Sequence, residues 1–139
     1  MSSPERPRRP FNPEILTPLS SASLFARIGG GAIVWRFTVL LPLDETKPGA
    51  DTESIATVED QESLEHTLAE HFQGLSVLSE IHGHGLRAGE PEENTLLPFV
   101  VYAAPVTESD KYFGTLKEEL QEALDQDTIL VERQELWIL

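Results

Sequence analysis

Residues 33–41 alternate strictly, Ile33, Trp35, Phe37, Val39 and Leu41 interleaving with Val34, Arg36, Thr38 and Leu40. A period of two in β-branched and aromatic residues predicts a strand, and Pro42 is its expected stop. The acidic stretch 44–57, with Pro48 and Gly49, reads as a loop. Leu64, Leu68 and Phe72 then recur at four-residue spacing behind Glu59, Asp60 and Glu62, whose charges suit the positive end of a helix dipole, and Gly74 ends that helix. Leu75, Val77 and Ile81 alternate with Ser76, Leu78, Glu80 and His82 in a second strand, followed by a long turn marked by Gly83, Gly85, Gly89 and Pro91. Residues 96–103 make the third strand, which Pro105 closes. Phe113, Leu116, Leu120, Ala123 and Leu124 form the apolar stripe of a second helix, whose outer face carries Glu118, Glu119, Glu122 and Asp125. Residues 128–135 read as the last strand, and the apolar run Leu136-Trp137-Ile138-Leu139 is expected to be covered by the core or by a partner.

The order β-α-β-β-α-β predicts an α+β, ferredoxin-like domain: a four-stranded antiparallel sheet, order 4-1-3-2, with two helices on one face. The alternation assigns Trp35, Phe37, Val39, Val77, Ile81 and Ile129 to the helix-covered face. Arg36, Thr38, Leu40, Leu78, Glu80, His82, Val100, Tyr102, Leu130 and Glu132 fall on the opposite face. That second face is apolar enough to be covered, so self-association through it is expected.

The first part of the chain breaks the pattern. Five of the ten prolines lie in the first 18 residues, and the stretch up to Gly29-Gly30-Gly31 has no sustained period, which divides the chain into an arm, 1–31, and a domain, 32–139. Ile15, Leu16, Leu19, Leu24 and Phe25 are too apolar for a purely solvated linker, so part of 14–28 should pack on the body or on another subunit. Charge sharpens the contrast. The 139 residues hold 24 acids against 10 Lys and Arg, yet Arg6, Arg8, Arg9, Arg27 and Arg36 outnumber Glu5 and Glu14 before residue 37. A basic arm and an acidic body could latch to one another through Arg6, Arg8 and Arg9 and the acidic helix faces.

A net charge of −14 disfavours direct nucleic-acid binding and favours a basic protein partner. The chain has no cysteine, which excludes thiol nucleophiles, redox pairs and cysteine-held zinc or iron–sulfur clusters. No apolar run approaches the roughly 20 residues that span a bilayer. Arg8-Arg9-Pro10-Phe11 looks like part of a twin-arginine signal, but Pro13, Glu14 and Pro18 interrupt its apolar segment, so a cytoplasmic protein without membrane attachment is expected.

From Leu64 onward the chain resembles a family of small uncharacterised bacterial proteins with a ferredoxin-like fold. The residues that carry the resemblance are Phe72-x-Gly74-Leu75-Ser76-Val77, the Gly83-His84-Gly85 hairpin and 126–132, Gln-Asp-Thr-Ile-Leu-Val-Glu. It implies a fold and lends no activity.

Candidate chemistry is thin. Glu80, His82 and His84 at i, i+2 and i+4 resemble a carboxylate–imidazole metal set, but no fourth ligand or base accompanies them, and neither a metal nor a cofactor is implied. His66 and His71 are five apart, about 140° around a helix, and cannot chelate one ion. No G-x-S-x-G elbow exposes Ser20, Ser21 or Ser23, and Gly29-Gly30-Gly31 precedes a strand and lacks the lysine of a phosphate loop. The reading that follows is a non-catalytic interaction or regulatory module, a homo-oligomer joined through its open sheet. The alternative is an enzyme or small-ligand binder with a pocket between two sheets, and a further one is an acidic inhibitor competing with nucleic acid. The candidate partner- or ligand-binding residues are Arg36, Tyr102, Glu80, His82 and Trp137.

Overall fold

The computed structural model describes residues 8–19, 26–46, 49, 51–72, 74–87 and 90–139, with 83–87 and 90–92 by their main chain. Arg6 and the side chain of His84 lie outside what is described. Among the described residues, seven strands and two helices follow one another: β1 (Ala26–Ile28), β2 (Gly31–Thr46), β3 (Glu53–Ser54), α1 (Val58–His71), β4 (Leu75–Val77), β5 (Ile81–Arg87), β6 (Glu90–Ala103), α2 (Thr107–Ala123) and β7 (Leu130–Ile138). A 3-10 turn, Pro13–Ile15, precedes them.

All pairings are antiparallel and belong to one sheet of seven strands, which corrects the expected four. Three physical causes account for the difference. Pro42 does not stop β2: a register shift between Pro42 and Asp44 absorbs the missing donor, and the strand runs on for 16 residues. So long a strand outreaches β6 at its start and β7 at its end, and short partners fill the two gaps, β1 opposite Gly31–Ile33 and β3 opposite Asp44 and Glu45. The predicted second strand breaks at 78–80 into β4 and β5, both paired with β6.

That break also changes the phase. Val77 lies opposite Phe99, on the helix side, but Ile81 lies opposite Leu96, on the other face, and His82 opposite Thr95, back on the helix side. Ile81 and His82 therefore exchange the faces that a continuous strand assigns them. Val77 and Ile81 are also exposed instead of buried.

The core lies between the sheet and the helices. Phe37, Val39, Leu41, Phe99 and Val101 of the sheet meet Leu64 and Leu68 of α1 and Phe113, Leu116 and Leu120 of α2. Phe113 stacks on Phe37 at 4.0 Å between ring centroids and on Phe72 at 5.3 Å. Helix α1 starts in a capping box: Asp60 N–H donates to Thr57 Oγ1 and Thr57 N–H to Asp60 Oδ2, each at 3.1 Å.

The segment 8–19 packs on this core. Phe11 and Leu16 are buried in it, and Phe11 N–H donates to Asp60 Oδ1 at 3.2 Å. Arg9 donates to both oxygens of Glu119 at 2.5 and 2.6 Å, and Asn12 N–H donates to Glu119 Oε2 at 2.9 Å. Glu122 stands 3.6 Å from the same guanidinium, while Arg8 donates to the carbonyls of Ser54 and Ile55. Glu119, assigned from sequence to the outer face of the second helix, has a side chain only 3% exposed. It sits three residues after Leu116 and four before Ala123, on the flank of the apolar stripe, and the segment 8–19 closes over it.

Burial opposes ionisation of Glu119, but the hydrogen bonds from Arg9 and Asn12 and the charge of Arg9 outweigh it and hold the carboxyl below its ordinary value. A carboxyl depressed in the folded state contributes stability above its unfolded pKa, about 4.3, and loses it as pH falls through the folded value. Amide protection at Asn12 should therefore hold from pH 7 to about 4 and fall below that. Hydrogen exchange along an acid series checks this, with Glu119→Gln as the control. The same acid step in both chains would detach it from Glu119.

Candidate small-molecule cleft

The residues singled out from sequence do not converge. Arg36 and Tyr102 are brought together, directly opposite one another on the open face, and Arg36 donates to Gln134 across the other flank. Glu80 is exposed in the break between β4 and β5. His82 belongs to the helix-side phase, its Nδ1 3.5 Å from Thr95 Oγ1. Trp137 is 53% exposed at the far end of β7. It does have a role there, because a Cβ added at Gly31 would come within 3.0 Å of its ring and 2.8 Å of the Ile138 carbonyl. Gly31 is thus a site of close packing.

Among the described residues, no three His, Asp or Glu side chains group so as to hold a metal ion. His71 is half-buried with Nδ1 2.7 Å from Tyr112 Oη. Burial pushes the Tyr112 phenol well above its ordinary value and keeps it protonated.

A cleft large enough to hold a small molecule lies at the other end of the open face. Strand β7 starts at Leu130, opposite Leu40, whereas β3 pairs with Asp44 and Glu45, so the flank of β2 between them is crossed by the chain that leaves α2. A cleft of about 430 Å³ opens there, lined by Leu40, Pro42, Leu96 and Leu130 on the sheet, Glu45 and Asn94 beyond them, and Gln126, Asp127 and Thr128 above. Its volume falls within the range of small-molecule sites, roughly 300–1,000 Å³.

The bulge builds this site. In β2 the odd positions Phe37, Val39 and Leu41 face the core, and an unbroken alternation would send Glu45 there too. The extra residue between Pro42 and Asp44 shifts the phase, so that Glu45 pairs with Asn94 and joins Leu40, Pro42 and Leu96 on the open face. Glu45 is nevertheless 7% exposed. The cleft thus sets the acceptor-bearing groups of Glu45, Asp127, Asn94, Gln126 and Thr128 against an apolar floor. It suits a ligand rich in donors or positive charge that has one apolar side. Arg36 shares the face but stands four residues from Leu40, about 13 Å along the strand. Sequence reading missed Glu45 and Asn94 because 44–57 reads as a loop and 90–95 as the tail of a turn.

No family model and no curated protein matches this chain. Two solved structures resemble it. Phage SAM lyase in complex with S-methyl-5'-thioadenosine has a TM-score of 0.49 and 19% identity, over 84% of this chain and 95% of that one. Phage SAM lyase in the apo state has a TM-score of 0.44 and 22% identity, over 81% of this chain and 87% of the other. These matches stand against the expectation of a non-catalytic interaction module, which is withdrawn: the similar chains are an enzyme, one of them with a small molecule bound. At 19–22% identity the likeness transfers no site residue and no reaction. No described helix is long and apolar enough to cross a membrane.

Proposed function

We propose that this protein binds a small molecule in the cleft between β2, β6 and the α2–β7 connection, and that the molecule is an amphipathic cation or a polyhydroxylated compound with one apolar side. The observation that carries the reading is the bulge after Pro42, which brings the Glu45 carboxylate into a cleft with an apolar floor. A ligand with donors and one apolar side would meet acidic and amide side chains beside apolar contact there. We also read the order β7-β2-β6-β4 with its two helices as an elaborated ferredoxin-like sheet.

The test is a calorimetric titration with SAM, S-methyl-5'-thioadenosine, a short aliphatic diamine and a neutral sugar. The first two are chosen because the similar solved chains are named with them. At least one compound is expected to bind the wild-type chain and, at 100 times its Kd, to raise stability by about 2.7 kcal/mol. Leu96→Trp, which fills the floor of the cleft, should abolish that binding while the circular dichroism spectrum is kept, and Asp127→Asn should weaken it about tenfold if the ligand is cationic. Binding that survives Leu96→Trp would place the site elsewhere, and failure of all four compounds at millimolar concentration would overturn the proposal.

A further inference from the structure

Strand β7 forms one flank of the sheet: among the described residues its pairing is with β2 alone. It runs for nine residues, about 30 Å, in unbroken register from Leu40 opposite Leu130 to Ala32 opposite Ile138. Proteins usually guard such an edge with a proline, a lysine, a bulge or a very short strand, because its outer N–H and C=O groups are a template for another strand. The sequence Leu-Val-Glu-Arg-Gln-Glu-Leu-Trp-Ile has no proline and no lysine; its charges, Glu132, Arg133 and Glu135, are the edge's guard against foreign strands, and Leu130, Trp137 and Ile138 are exposed.

The geometry points to a second copy of this chain as the occupant, its β7 paired antiparallel to the first about a two-fold axis at Gln134. That register sets Arg133 opposite Glu135 of the second copy and Glu135 opposite its Arg133, both on the helix side of the sheet. It also sets Val131 against Trp137, and Leu130 against Ile138. The alternatives are worse for stated reasons. Moving the axis to residue 133 or 135 puts Arg133 opposite Arg133, or Glu135 opposite Glu135, and like charges directly opposite are destabilising. Moving it by half a residue pairs core-side positions with open-face ones and throws the helix layers to opposite sides of the joined sheet. Within one chain Arg133 already lies over the Trp35 ring at 4.2 Å and 2.7 Å from Asp110, and Trp35 Nε1–H donates to Glu135, so both charges are held in place before pairing. The joined edge is a different surface from the open face and stands independently of the cleft, although it brings the second copy's Ile138 beside Leu130 at the cleft rim.

Light scattering should report a dimer. Arg133→Glu and Glu135→Arg should each raise the dissociation constant about tenfold or more, and the double exchange should restore it to near the wild-type value, which loss of the Asp110 contact alone would not. Because the chain has no cysteine, Gln134→Cys supplies a single thiol that meets its own copy on the axis. Mild oxidation should then give a covalent dimer, within the reach of a disulfide between directly opposed positions. A monomer at tens of micromolar overturns the proposal. So does a dimer that ignores the charge exchange and fails to cross-link at position 134, which would place the interface on the open face.

Discussion

Replacing Phe113 with alanine is expected to remove about 3–5 kcal/mol of folding stability, the largest loss for any single side chain in the core. Phe113 is 2% exposed and touches three other rings: it stacks on Phe37 and Phe72, and Tyr112 meets it edge-on at 5.2 Å. One side chain thus ties α2 to the central strand β2 and to the C-terminal cap of α1, and neighbours anchored in two helices and a sheet cannot collapse into the void. The melting temperature should fall on the order of 10 °C or more. Glu118→Ala, five residues along the same helix and exposed, should stay within about 0.5 kcal/mol. Denaturant melts of the two variants check this. A loss below 1 kcal/mol for Phe113→Ala would mean that the ring cluster is not the centre of the core.

Replacing Glu119 with alanine is expected to release the segment 8–19. The Asn12 N–H loses its acceptor, which costs about 1–2 kcal/mol, and Arg9 loses a bidentate partner. Arg9 is partly exposed and can rehydrate, so its share of the loss is softened by solvent. The consequence extends past the ion pair, because Phe11 and Leu16 are held in the core by the same segment. The melting point should drop by about 5 °C, and limited proteolysis should cleave within 8–19 in the variant at enzyme levels that leave the wild-type chain intact. Raising the salt concentration should not reproduce this, because a carboxylate with 3% exposure is poorly screened. Equal proteolysis of the two chains would mean that Phe11 and Leu16 dock without help from Glu119.

The anchoring shows how far a latch between basic arm and acidic helices was legible. Charge asymmetry put Arg8 and Arg9 in the arm and Glu119 and Glu122 on α2, and Arg9 does meet both acids. Composition alone indicated a contact between opposite charges and gave no geometry. The observed one is buried and bidentate, since Glu119 flanks the apolar stripe and needs a partner that comes from 110 residues away in sequence. Arg8 took backbone carbonyls instead of an acid, which no count of charges anticipates.

What the sequence by itself determined are the features that depend on short-range spacing: the strand through Phe37 and Val39, the stripes Leu64–Leu68 and Phe113–Leu116–Leu120, and the acidic start of α1 at Glu59 and Asp60. A period of two or of 3.6 needs nothing beyond the segment that carries it. Only the tertiary structure decided which face each strand residue takes after an irregularity. The bulge after Pro42 moves Glu45 into the cleft, and the break at 78–80 moves His82 away from Arg36 and Tyr102. A bulge becomes visible only against the strand beside it, so cross-strand pairing, absent from any one stretch of sequence, chose the site.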